Sequence, residues 1–270
     1  MGNGKLPGVT CSDTGSAQMD GGTSCLAASP LPGTTGQAAL RSYSMTGGGK
    51  GDEDLSFEMD GAPFESVATS LVGLTAPQMR VLAALRELKQ AIVDAERKWR
   101  VDRRAIAGAI AWEALNNWGI FGFKFPGGVR AVGLGKIHVY NSKVPLKTTE
   151  GADENTVAKQ VEDAGYLPAQ TLEDRKRKLA DPVEAITYIA AIMRAFIEIA
   201  AEYGFTIGRN TVILANLFQG KDLPKWRESL EEKKKTGTTT LKGGNTMDIW
   251  IGANLVFLED AVGVPNLPDY

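Results

Sequence analysis

The chain has 270 residues, 43% of them hydrophobic, and its 30 Lys and Arg face 32 Asp and Glu for a formal net charge of −2. That length buries a full core, and the near-neutral balance excludes the electrostatic footprint of a strongly basic nucleic-acid binder. The single histidine, His138, excludes a histidine-pair zinc site, and any Ser-His-Asp or Cys-His arrangement would depend on that one residue without a G-x-S-x-G elbow to support it.

Taken in chain order, residues 1–63 are crowded with Gly, Ser and Thr and hold neither a strand nor a helix period, which is the composition of a flexible leader. The start of this segment lacks the apolar stretch of a signal peptide, so secretion without a recognisable signal is the expectation. Cys11 and Cys25 both fall in it and could bridge only a loop. Thr46-Gly47-Gly48-Gly49-Lys50-Gly51 imitates a phosphate loop, but Gly51 stands where Ser or Thr is needed and no strand precedes it.

From residue 64 to 270 the pattern becomes helical. Thr75 as N-cap, Pro77 in the first turn and apolar residues at Val81, Leu82, Leu85, Leu88, Ile92 and Trp99 predict one long amphipathic helix. Asp102 caps the next, which carries Glu113 in its last turns and ends at Asn116-Asn117. Between Trp118 and Asn141 glycines alternate with aromatic residues, and the run Lys136-Ile137-His138-Val139 alternates, so a loop leading into a short hairpin is expected, with His138 on its surface or wall. Helices follow from about Glu154 to Ala164, from Thr171 to Leu179, and from Asp181 to Gly204. The last begins Asp-Pro-Val-Glu and buries Ile186, Ile189, Ala190, Met193, Phe196, Ile197 and Ala200. Its stretch from Ala185 to Ala201 is interrupted by Arg194 and Glu198, which suits a core helix and argues against stable membrane insertion. Asn210 caps a helix ending near Gly220, Glu231 to Lys235 reads as a solvated helix end, and Asn245 caps a final helix carrying Ile249, Leu255, Phe257, Leu258 and Val262.

The chemistry concentrates on Glu113. Helical spacing puts it on a stripe with Ile106, Ala109 and Ile110, so its side chain is expected to face the interior. The helix C-terminus disfavours an anion there, and Trp112, Leu115 and Trp118 add desolvation; both raise the pKa of a carboxylic acid toward that of a general acid. The competing reading is a buried Glu held by an Arg or Asn partner such as Asn117. Aromatic residues downstream, Trp118, Phe121, Phe123, Phe125 and Tyr140, are flat surfaces of the sort that stack on sugar rings or fill a core. No second acid is evident, although Glu150, Asp153 and Glu154 follow the hairpin.

The helix Ile-Ala-Gly-Ala-Ile-Ala-Trp-Glu ending at Glu113, followed by Gly133-Leu134-Gly135-Lys136-Ile137, resembles the lysozyme-like superfamily, in particular lytic transglycosylases and goose-type lysozymes. Leu214-Ala215-Asn216-Leu217-Phe218-Gln219-Gly220, followed by Trp226, is similar to the family's third signature. Lys136 stands at its usual Gln, Leu217 and Phe218 at its Tyr-Asn pair, and Ala114 at the common Ser. The resemblance implies a mainly α, α+β lysozyme-like fold, a helical bundle around the Glu-bearing helix with a small hairpin. It implies Glu113 as general acid/base on the MurNAc-GlcNAc bond of peptidoglycan. It also implies a glycan cleft lined by Gly133, Gly135, Lys136 and His138, with Trp118, Tyr140, Asn216 and Gln219 as further substrate contacts. No cofactor and no metal are expected. The partners are then glycan strands, not nucleic acid. Combined with the leader, the resemblance points to a bacterial cell-wall-degrading effector that acts in the periplasm or at the cell wall and is blocked by a cognate immunity protein. A phage-type or tail-associated lysin and a non-enzymatic helical interaction or virulence protein are the alternatives.

Overall fold

A capping box opens the helical region: the Thr75 hydroxyl accepts from the Gln78 amide while the Gln78 side chain accepts from Thr75 N–H, and Pro77 lies in the first turn. The computed structural model describes residues 56–59, 73–116, 131–140, 152–243 and 246–266. Helix α1 (Ala76–Glu87) and helix α2 (Lys89–Trp99) meet at Leu88, so the single long helix expected from the spacing is two. Leu88 keeps right-handed dihedrals and its amide still bonds to the Ala84 carbonyl, which is why no breaker marks the joint. Arg100, left-handed at φ 53°, ends α2.

Helix α3 (Arg103–Asn116) begins where the buried Asp102 side chain accepts from Arg104 N–H at 2.8 Å. Every residue from Ala105 to Trp112 is buried. A helix that is apolar all round belongs at the centre of a protein, and α3 packs against α1, α2 and four helices further along the chain. Small residues permit this: a Cβ on Gly108 would lie 2.6 Å from the Ile251 Cδ1 atom.

The short antiparallel hairpin of β2 (Ala131–Val132) and β3 (Ile137–His138) is present as expected. Its turn is pressed onto the helices that follow. Helix α4 (Val157–Asp163) is capped by Thr156 and helix α5 (Leu172–Ala180) by Thr171. Helix α6 (Pro182–Glu202) starts with the Asp181 side chain accepting from the Val183 and Glu184 amides. Its expected core residues are buried, apart from Ile197, which is half-buried. Helix α7 (Thr211–Gly220) follows the Asn210 cap.

Helix α8 (Leu223–Thr236), capped by Asp222 and ended by Gly237 at φ 67°, was not anticipated beyond its charged end. It buries Leu223, Trp226 and Leu230. The final helix is again two, α9 (Thr246–Ala253) and α10 (Leu255–Val262), divided at Asn254, whose side chain donates to the Trp250 carbonyl at 2.7 Å. The Asn245 cap lies outside the described residues. A second, parallel strand pair joins β1 (Ser56–Met59), within the segment read as leader, to β4 (Thr240–Gly243). The remainder of residues 1–63 lies outside the described residues.

The described residues are thus mainly helical, with ten helices and two small strand pairs. None of those helices is long and apolar enough to cross a membrane.

Candidate functional site

Glu113 sits in the last turn of α3, half-buried, between the buried Trp112 and Ala114. The stripe it shares with Ile106, Ala109 and Ile110 is fully enclosed at those three positions, so Glu113 marks where the sealed helix opens toward water. Beside it the Trp112 ring packs at 6.1 Å from that of Trp250 on α9, and Trp250 meets Phe257 of α10 edge-on at 6.0 Å. One turn on, the Asn116 side chain donates to the Trp112 carbonyl at 2.9 Å and so satisfies an end-of-helix acceptor.

The glycine turn of the hairpin is explained by packing. Gly133 has φ +79°, and a Cβ there would stand 2.2 Å from the Leu179 carbonyl oxygen at the end of α5. At Gly135 a Cβ would come within 2.9 Å of Ile189 on α6 and 3.1 Å of Phe218 on α7. Both glycines therefore seat the turn against helices, a role that needs no ligand. Lys136, left-handed at φ 44° and half-buried, closes the turn by donating its amide to the Gly133 carbonyl at 3.1 Å. His138 is exposed, as its place in the alternating run predicted.

Tyr140 departs from expectation. Its ring is buried at 5% exposure, with the Lys176 ammonium 4.8 Å from the ring centre. It is a wall of the fold and offers no open face for a sugar to stack on. Burial acts to lower the Lys176 pKa, but the neighbouring Glu173 carboxylate and the Tyr140 hydroxyl outweigh it and raise the value. Trp118, Phe121, Phe123, Phe125 and Asn117 lie outside the described residues.

On α7, Asn216 and Gln219 face the same neighbour. The half-buried Asn216 donates Nδ2 to Asp248 Oδ2 at 2.6 Å, and Gln219 Oε1 accepts from the Met247 amide at 3.1 Å. Together they clamp the first turn of α9. Asp248, fully buried, is the residue that sequence reasoning missed. Its one-turn spacing to Ile251 was visible, but a lone Asp in an apolar helix is legible only once its partner on another helix is known.

The other buried carboxylates are structural. Arg175, fully buried, grips Glu162 with two bonds of 2.7 Å and reaches Asp153 at 2.7 Å. Tyr188 and the Gln170 amide complete the Glu162 shell at 2.7 and 3.0 Å. Burial and the bond to Glu162 both push the Tyr188 hydroxyl well above the ordinary phenol range. Burial opposes the charge on Arg175, yet its bonds to Glu162 and Asp153 raise its pKa overall. Asp153 is therefore committed to Arg175; Glu154 is exposed, and Glu150 lies outside the described residues. Around the start of α3, Glu96 is paired with Arg103, while Asp102 holds Arg104, which also reaches Glu259 at 2.8 Å.

Among the described residues, no three or more His, Cys, Asp or Glu side chains are grouped to hold a metal ion. No family model matches the chain, and no curated protein or solved structure matches it either.

Proposed function

We propose that the chain is a peptidoglycan-cleaving glycosidase of lysozyme-like fold, a muramidase or lytic transglycosylase in which Glu113 protonates the glycosidic oxygen of the MurNAc-GlcNAc β-1,4 bond. The observation that carries this reading is the position of Glu113: a half-buried carboxyl in the last turn of an otherwise enclosed helix, directly after a buried tryptophan. A general acid needs a rigid mount, partial removal from water and one side left open to the substrate. Asn216 and Gln219, tied to the first turn of α9, give the third sequence signature a supporting role, holding helices beside α3.

As the bond to the sugar ring breaks, the deprotonated Glu113 can act again as base. Taking a proton from an attacking water gives a reducing end; taking it from the muramic acid hydroxyl gives an anhydro end. The reading extends to a bacterial effector that acts in the periplasm or at the cell wall and is held in check by an immunity protein covering Glu113.

Clearing of purified peptidoglycan by the full chain is the direct test. Glu113→Gln is expected to lower the rate by about 10²–10⁴-fold while leaving the thermal midpoint nearly unchanged. Clearing by both proteins, or by neither, removes the reading. Mass spectrometry of the released fragments then assigns the reaction, anhydro ends to transglycosylation and reducing ends to hydrolysis.

A further inference from the structure

Strand β1 lies in the segment whose composition suggests a leader, yet it pairs in parallel with β4, from Ser56 opposite Thr240 to Met59 opposite Gly243. The two strands are held differently. β4 belongs to the body: it connects α8 to α9, rests on α7 and buries Leu241. β1 packs against β4, and among the described residues no third strand lies beside it. A strand with one partner leaves the backbone N–H and C=O groups along its other edge without ladder bonds. Two short strands are also marginal by themselves in water, and a third strand adds to their stability.

The charge around β1 decides what can add there. Asp52, Glu53, Asp54, Glu58, Asp60 and Glu65 fall between Lys50 and Arg80, and no Lys, Arg or His falls among them. Pairing two copies of this chain along β1 would bring those acids together, and charge on an edge strand is a device against self-association. Nucleic acid and acidic lipid surfaces are repelled for the same reason. The complement of this edge is a basic strand.

We infer that the free edge of β1 is a docking site for an extended, basic segment of a partner protein, which adds as a third strand. Backbone hydrogen bonds along the edge hold the segment, and its Lys or Arg side chains meet the acids that flank β1 in the sequence. The inference is independent of the glycosidase reading, since it uses neither Glu113 nor α3.

The test titrates the full chain into a labelled decapeptide of alternating Lys and Val, followed by fluorescence anisotropy, with amide hydrogen exchange of the full chain measured alongside. Two control peptides have the same length. One alternates Lys and Pro, equal in charge but poor at forming a ladder, and the other alternates Glu and Val. The Lys-Val peptide is expected to bind, more weakly as salt rises, and to slow exchange at residues 56–59. Both controls are expected to bind at least about tenfold more weakly. Glu58→Gln combined with Asp60→Asn is expected to weaken the Lys-Val peptide about tenfold. Equal binding of the Lys-Val and Lys-Pro peptides means charge attraction without strand addition and overturns the inference. So does an absence of binding, or binding that leaves exchange at residues 56–59 unchanged. Exchange there that slows with protein concentration alone assigns the edge to a second copy of the chain, and equally overturns it.

Discussion

Two of the places where this molecule buries a carboxylate do so in opposite ways. At the α4–α5–α6 junction Glu162 is enclosed by a two-bond guanidinium, a phenol and a backbone amide, so each oxygen has its donors. At the α7–α9 junction one donor to the buried Asp248 is an uncharged amide from Asn216, whereas Glu113 at the end of α3 is half-buried. In the first arrangement the main partner is a buried guanidinium. In the second, one partner is a neutral amide on another helix. Burial of an acid is therefore no sign of function by itself; its neighbours decide how the charge is held.

The comparison breaks most easily at Arg175. Arg175→Ala strands Glu162 inside the fold, and a loss of about 3–5 kcal/mol in unfolding free energy is expected, measured by urea denaturation. A loss below about 1 kcal/mol would mean that the pair is not the strut described. Glu113→Gln should do the opposite, costing activity and little stability. A smaller effect tests the packing that sets the α3–α9 register. Gly108→Ala forces its Cβ onto Ile251, and such overpacking costs about 1–3 kcal/mol, of which up to about 1 kcal/mol is returned by replacing glycine inside a helix. A modest fall in the thermal midpoint is expected, and a rise would show that α9 has room to shift.

The smallest effect is on pH dependence. The Tyr188 hydroxyl is held protonated in the fold above its ordinary value of 10.0. A group whose pKa is raised on folding contributes stability that is complete below the unfolded value and fades as pH climbs past it. Unfolding free energy should therefore decline above about pH 10, and Tyr188→Phe should flatten that alkaline slope. An equally steep slope in the variant would place the titration elsewhere.

Much of the helical framework was readable from local chemistry, because caps act within three residues. Thr75, Thr171, Asp181 and Asn210 each accept from an amide two or three positions ahead, and helices begin there. The breaks at Leu88 and Asn254 were not readable, since neither position carries glycine or proline and both joints are set by packing among helices. Helix α8 has a start signal in Asp222-Leu223-Pro224 and helical spacing at Leu223, Trp226 and Leu230, but the charge run after them masks that pattern. At the candidate site, the position of Glu113 on its helix was legible, but its stripe was uninformative because α3 is apolar on every side. Gly133 and Gly135 were visible as glycines, and only coordinates tie them to Leu179, Ile189 and Phe218. Asp248 and Asn216 lie 32 positions apart in sequence, beyond the reach of any local rule.

The crowding around α3 has one more consequence. A side chain mounted on a shaft clasped on all sides has no hinge of its own: it cannot swing out to meet a distant molecule or fold away when idle. Any molecule that meets Glu113 has to come to it, because the shaft that carries it is held by six other helices.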